Sequence, residues 1–397
     1  MQSNDQKIYY FDHAATTPVD PRVLAKMEPF FSIEFANPSS LYRAARRSRA
    51  AIDHARHTVA SFLGAKPTEV VFTSGGTESD NLAIQGVLSA HPGSNWVASI
   101  IEHDAVLNCI SPMERLGHKH HVLPVQSTGI IDLNRLSSHI DDQTVLVSIM
   151  MANNEIGTIQ PISDVAKLIA DVRTDRVRRG VDLPIYLHTD AVQAALYLSL
   201  HVDRLGVDLL SLSGSKIYGP KGTGVLYIRH GTILDPILFG GGQERTRRSG
   251  TENVAGIVGF SEALTIAAEK RQFESRRLTQ LRAGAITVLS SRIPGVILNG
   301  DQVRRLPNNI NLTIPGANGE DLVLYLDNLG ILASTGSACT TGSLDPSHVL
   351  LAIGRTAEEA NCSLRLTFGR DTTKDSFSYL IESLATVVGR VRELGQA

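Results

Sequence analysis

Lys216 and Asp190 are the two residues whose placement along the chain most directly suggests chemistry. Asp208 to Leu212 reads as a buried strand, Ser213-Gly214-Ser215 interrupts it with small residues, and Lys216 follows before the turn signal Tyr218-Gly219-Pro220. Open α/β sheets bind ligands outside the carboxyl ends of their strands, so a lysine there meets whatever the sheet binds. Its amine can form a Schiff base with an aldehyde such as that of pyridoxal phosphate. Ser-x-x-Lys by itself has little specificity, because lysines ordinarily occupy solvated surface. A second element comes from Pro184 to Leu187, another strand-like run, which leads into His188-Thr189-Asp190 and so brings a carboxylate to a strand end. An aspartate paired to a pyridine nitrogen keeps the ring protonated, which lets the ring act as an electron sink.

Three further stretches carry chemistry of their own. Ser74-Gly75-Gly76-Thr77-Glu78-Ser79 follows a strand and opens a helix, so its backbone amides and the positive helix end suit a phosphate; the plain alternative is a turn with Thr77 as N-cap. Arg365 sits in the apolar run Ser363-Leu364-Arg365-Leu366, where an unpaired guanidinium is costly and calls for an anionic partner, either a ligand or a structural carboxylate. Cys339 lies among small residues, Ala333 to Ser343, with neither helical nor strand period, whereas Cys109 and Cys362 sit in amphipathic or apolar context as structural thiols do.

The elements that must hold these residues follow from periodicity. Strand-like runs near 69–73, 96–101, 120–125, 144–150, 184–189, 207–212 and 224–229 alternate with helical patterns, the signature of a mostly parallel sheet covered on both faces. A helix from about Leu41 to Leu63, stopped by Gly64, carries Arg43, Arg46, Arg47 and Arg49 on a solvated or intersubunit face. A glycine-rich segment, 240–250, precedes a long helical region from about Val254 to Arg292. Beyond it, strands near 296–299, 308–314 and 363–368 and helices near 319–329 and 373–394 give an α+β pattern. The expected division is a large domain, 17–257, and a smaller one, 258–397, joined by the extended N-terminal arm 1–16. With 38 basic against 40 acidic residues, no overall charge draws the chain to nucleic acid or membrane, and its apolar runs are too short to span a bilayer. The three cysteines form no CxxC pair, which argues against a metal site and for reduced thiols in the cytoplasm, and MQSNDQKIYYF lacks the features of a signal peptide.

Taken in order, DHAATTP (Asp12 to Pro18), NPSS (Asn37 to Ser40), FTSGGTESDN (Phe72 to Asn81), Glu102-His103, NNEIG (Asn153 to Gly157), HTDAVQA (His188 to Ala194), Ser213 to Gly222, GGGQERTRRSGTEN (Gly240 to Asn253) and SACT (Ser337 to Thr340) give the chain a near full-length resemblance to the NifS/IscS cysteine desulfurases. These are class V members of the fold-type I pyridoxal phosphate enzymes. The resemblance implies an α/β fold with a seven-stranded, mostly parallel sheet and a smaller C-terminal α+β domain. It implies pyridoxal 5'-phosphate on Lys216, with Gly76, Thr77, Ser213 and Ser215 at its phosphate and Thr251 reaching in from the second subunit of a homodimer. His103 would stack on the ring and move protons, Asp190 would pair with the ring nitrogen, and Asn154 and Gln193 would bond the phenolic oxygen or the substrate. L-cysteine would be held through Arg365, Asn37 and Asn154, and Cys339, in a long loop of the family's first group, would take the sulfur as a persulfide for an acceptor protein. The acceptor stays open among iron–sulfur cluster assembly, tRNA thiolation and DNA phosphorothioation. Other open readings are a related lyase acting on cystine or selenocysteine, for which Cys339 would be dispensable, and a weakly active scaffold. The scaffold reading arises from Ser215, which stands where most relatives have histidine and costs on the order of 1–2 kcal/mol of phosphate affinity.

Overall fold

The computed structural model describes residues 7–336 and 345–394; Cys339 lies outside the described residues. Its strands are β1 (Tyr9–Tyr10), β2 (Val70–Thr73), β3 (Asn95–Ser99), β4 (Lys119–Leu123), β5 (Thr144–Ser148), β6 (Tyr186–Asp190), β7 (Leu209–Ser213), β8 (Gly224–Ile228), β9 (Ile297–Leu298), β10 (Asn309–Thr313), β11 (Ile331–Leu332) and β12 (Ser363–Thr367). Seven of them form one sheet in the order β2-β8-β7-β6-β5-β3-β4. Only β8 runs against its neighbours, so β2, β3, β5, β6 and β7 all open their carboxyl ends on the same edge. Every residue of β3, β5, β6, β7 and β8 is buried, as both faces of a parallel sheet require, which is why these strands read as apolar runs rather than alternations.

Helices cover both faces. Arg43–Leu63 turns Ala45, Ile52, Ala55, Val59 and Leu63 inward at helical spacing and ends on Gly64 at φ 67°, a left-handed cap where a Cβ would also strike the His201 ring at 2.4 Å. Val254–Arg292, 39 residues capped by Asn253 Oδ1 on the Gly256 amide, packs on that helix and extends to the second sheet; position 257/258 falls within it. The second sheet is antiparallel, β12-β10-β9, and is backed by Gly319–Asp327 and Lys374–Leu394.

Two segments tie the parts together. The N-terminal arm adds β1 parallel to β11, with Tyr9 opposite Ile331, and buries Phe11 against Phe368. The glycine-rich segment contains three successive non-glycine residues in the left-handed region, Glu244, Arg245 and Thr246 at φ 46°, 57° and 66°. Such backbone costs roughly 1 kcal/mol or more per residue, and the compensation is visible. The buried Glu244 carboxylate accepts from Arg56 Nη1 and Nη2 at 2.8 and 2.6 Å and from the Phe72 amide at 2.9 Å.

Candidate active site

A cleft of about 370 Å³ lies at the carboxyl edge of the large sheet and gathers Gly76, Thr77, His103, Asn154, Asp190, Gln193, Ser213, Ser215, Lys216 and Arg365. All but Arg365 arrive from the ends of β2, β3, β5, β6 and β7 or from the segments that follow them. Gly76 and Thr77 begin the helix Gly76–Ala90 directly after β2, where amides of the first turn lack intrahelical acceptors. A Cβ on Gly76 would stand 2.8 Å from Val192 Cγ2 and 3.6 Å from Ser213 Cβ, so only glycine leaves that end of the cleft open. Ser213 and Ser215, bonded to each other at 3.0 Å through their hydroxyls, face the same end.

Lys216 projects from the short turn after β7, and its Nζ donates to the Ala15 carbonyl of the N-terminal arm. Gln193 Nε2 bonds the neighbouring Ala14 carbonyl at 3.0 Å, and the Thr17 amide bonds the Ser215 carbonyl at 2.8 Å, so the arm is laced across the lysine turn. His103 caps the short helix Asp104–Leu107: Nδ1 accepts from the Ala105 amide at 3.0 Å, which puts the proton of the neutral ring on Nε2.

Asp190 closes β6 in the same cleft, its Oδ1 accepting from the Val192 amide at 2.8 Å. Behind it stand two further acids, Asp80 and Glu102, and His188, each exposing 1% or less of its surface. Burial holds the Asp80 carboxyl well above the usual carboxylate range, and the charge of Asp190 pushes it further the same way. Glu102, whose Oε1 accepts from the Met150 amide at 2.8 Å, is raised for the same two reasons in the same order. Burial also raises Asp190, whereas the charges of His103 and Lys216 act on it in the opposite sense. His188 is pushed down to about 3 by burial and stays neutral between the Ser148 hydroxyl at 2.8 Å and the Ser211 hydroxyl at 3.0 Å. The cleft therefore brings together donors for an anion, a primary amine and a supported carboxylate.

Arg365 enters from β12 of the second sheet and is ion-paired to Asp12 at 2.8 Å. Two of the anticipated residues stand apart from the cleft of their own chain. Asn37 is exposed and its Oδ1 caps the Ser39 amide at 2.9 Å, and Thr251 is exposed at the end of the glycine-rich segment.

Residues 9–380 match the family described as aminotransferase class-V. The chain belongs to that family. Among its relatives, a protein of Dictyoglomus turgidum named cysteine desulfurase IscS is 45% identical over 97% of this chain and 95% of its own. A solved structure titled NifS-like protein superposes with a TM-score of 0.88 at 33% identity, covering 97% of this chain and all of that one. Another, titled SspA in complex with cysteine, gives 0.77 at 35% identity over 90% of this chain and 98% of that one.

This class-V chain also uses residues for which motif reading gave no role. Asp12, Asp80, Glu102 and His188 all lie in or beside quoted motifs, yet none was assigned a function. Asp80 falls four residues after Gly76, one turn along the same helix face, and His188 alternates with Asp190 on β6; both spacings place them beside assigned residues. Cys109, buried, donates to the Ala105 carbonyl at 3.3 Å and its thiol is pushed up to about 11 by burial, which leaves it unreactive as a nucleophile.

Proposed function

We propose that the protein is a pyridoxal 5'-phosphate-dependent cysteine desulfurase that converts L-cysteine to L-alanine and leaves the sulfur as a persulfide on Cys339 for an acceptor protein. The observation that carries this reading is that one cleft gathers Lys216, the cradle of Gly76, Thr77, Ser213 and Ser215, and the Asp190 carboxylate. The family's cofactor fits these residues: its phosphate would meet the helix start that only glycine leaves open, and its ring nitrogen would meet Asp190. When bound, the group supplies an aldehyde for the substrate's amine and a sink for electrons released at Cα.

The chain's own groups do the rest. Lys216 is the base for the Cα proton, and Asp190, held by the Val192 amide, is the carboxylate that would meet the ring nitrogen. His103, with its proton on Nε2, is set to supply the proton that Cβ takes up as the sulfur leaves, while Asn154 and Gln193 would bond the ring oxygen or the substrate. Arg365 binds the substrate carboxylate. The Cys339 thiolate attacks the substrate sulfur, the carbon–sulfur bond breaks with its electron pair left on Cβ, and a proton taken up at Cβ together with the return of one to Cα completes alanine.

A second copy of the chain is part of this reading. Thr251 and Asn37 are exposed here, and so are Phe35, Leu41 and Phe239 at 74%, 93% and 85%, on the same two stretches of chain. Large apolar side chains left so open suit a homodimer contact that brings Thr251 and Asn37 to the neighbouring cleft. We place the domain division at 257/258, with arm 1–16 belonging to the smaller part, and assign the enzyme to the cytoplasm; among the described residues no helix is long and apolar enough to cross a membrane.

The test is direct. Protein supplied with pyridoxal phosphate and L-cysteine should release alanine, and borohydride reduction followed by peptide mapping should tag Lys216. A tag on another lysine would remove the basis of the assignment.

A further inference from the structure

Arg365 Nη2 donates to Asp12 Oδ1 at 2.8 Å, and Nη1 donates to the carbonyls of Asn154 and Gly336 at 3.2 and 3.1 Å. The remaining donor, Nε, is buried and meets no acceptor among the described residues, although the side chain lines the cleft. A guanidinium grips a carboxylate best through Nε and Nη2 together, as Arg22 grips Asp20 in this same chain at 3.0 and 2.7 Å. On Arg365 that edge is half used. Asp12 is fixed there by its backbone, since its carbonyl accepts from the Tyr10 hydroxyl at 2.9 Å and from the Ala15 amide at 3.0 Å, and residue 12 bridges to Thr367.

The fold thus sets a carboxylate of its own on the edge that an amino-acid carboxylate needs. We propose that Asp12 is a positioning residue that competes with the substrate carboxylate for Arg365 and so sets how tightly the substrate is held. This rests on the reading of Arg365 as the carboxylate anchor. Removing the charge of Asp12 removes the competitor without releasing the arginine, because the two carbonyls on Nη1 and the pairing of β12 with β10 remain, and asparagine can still accept from Nη2.

Wild type, Asp12→Asn and Arg365→Gln, each with cofactor, are compared with L-cysteine as substrate and with cysteamine, which is cysteine without its carboxylate, as inhibitor. For Asp12→Asn the KM for cysteine should fall about three- to tenfold with kcat within about twofold, and inhibition by cysteamine should not change. Calorimetric binding of 3-mercaptopropionate, which keeps the carboxylate and lacks the amine, should tighten by the same factor without any turnover. A KM that is unchanged or raised in Asp12→Asn overturns the proposal. Arg365→Gln tests the underlying reading separately: cysteine should lose its advantage over cysteamine, and a retained advantage means that Arg365 is not the anchor, whatever Asp12→Asn does. If Asp12→Asn is too unstable to assay, Asp12→Glu keeps the charge and must leave KM at or above the wild-type value; a lower KM there also overturns the proposal.

Discussion

His188 Nε2 lies 3.6 Å from Asp80 Oδ1, with both side chains enclosed beneath the carboxylate of Asp190. A neutral histidine at this point fixes the sign of a pH effect. Its folded pKa, about 3, is below the ordinary value of 6.5, so the unfolded chain binds the proton and stability falls as pH drops from 6.5 toward 3. Asp80 and Glu102 act oppositely: raised in the folded state, they contribute stability at low pH that is lost as pH rises through their folded values. Between pH 7.5 and 5 the histidine term alone is worth about 2 kcal/mol. His188→Gln should therefore flatten the decline in unfolding free energy over that interval by about this amount, whatever its absolute cost. Equal slopes for the two proteins in denaturant titrations at pH 5 and 7.5 would refute a neutral His188.

The two cysteines with different surroundings should behave differently. Cys339→Ala should still take up cofactor and cysteine, yet form little alanine beyond slow side reactions. Cys109→Ala should keep its turnover and lose roughly 1–2 kcal/mol of stability from packing. Alanine formation with a thiol reductant present is the measurement, and a wild-type rate from Cys339→Ala would favour a lyase over persulfide transfer.

Glu244→Ala should be costly. It leaves the Arg56 guanidinium buried without its counter-charge and frees three residues of strained backbone, a change expected to cost about 3–5 kcal/mol in urea unfolding. A loss below about 1 kcal/mol would mean that the left-handed segment is held by something other than this pair.

The shared-site reading makes a mixing experiment informative. Lys216→Ala and Thr251→Ala proteins, each impaired alone at limiting cofactor, should regain activity when refolded together, because one site of each mixed dimer then has both residues intact. No recovery in mixed dimers isolated by differential tagging would place Thr251 outside the neighbouring site.

Local pattern carried the reading of the sequence a long way. The seven strands of the large sheet and the helix Val254–Arg292 could be located because strand runs and helical periods are properties of neighbouring residues. Lys216 and Asp190 could be picked out because strand ends in such sheets are where ligands bind. The order in which strands lie, with β8 reversed between β2 and β7, has no local signature. Neither does the pairing of Arg365 with Asp12 across 353 positions, which supplies from within the chain the anionic partner that the apolar surroundings of Arg365 called for. Asp80 and His188 were hidden for the same reason, since each is ordinary in its own segment and meaningful only beside the other.

The N-terminal arm has a consequence for how the enzyme comes to exist on the ribosome. Tyr9 pairs with Ile331 and Asp12 bridges to Thr367, while Ala14, Ala15 and Thr17 bond Gln193, Lys216 and Ser215. The arm must therefore wait for β11 and β12, made more than 300 residues later, before it can be fully seated. A nascent chain that has already emerged through β8 holds the lysine, the aspartate and the phosphate cradle, but β11 and β12, the arm's partners, are still unmade. The large sheet can form early and leave its reactive lysine turn incompletely covered until β11 and β12 have been made. A truncated product of the same gene would carry the amine without the segment that normally covers it.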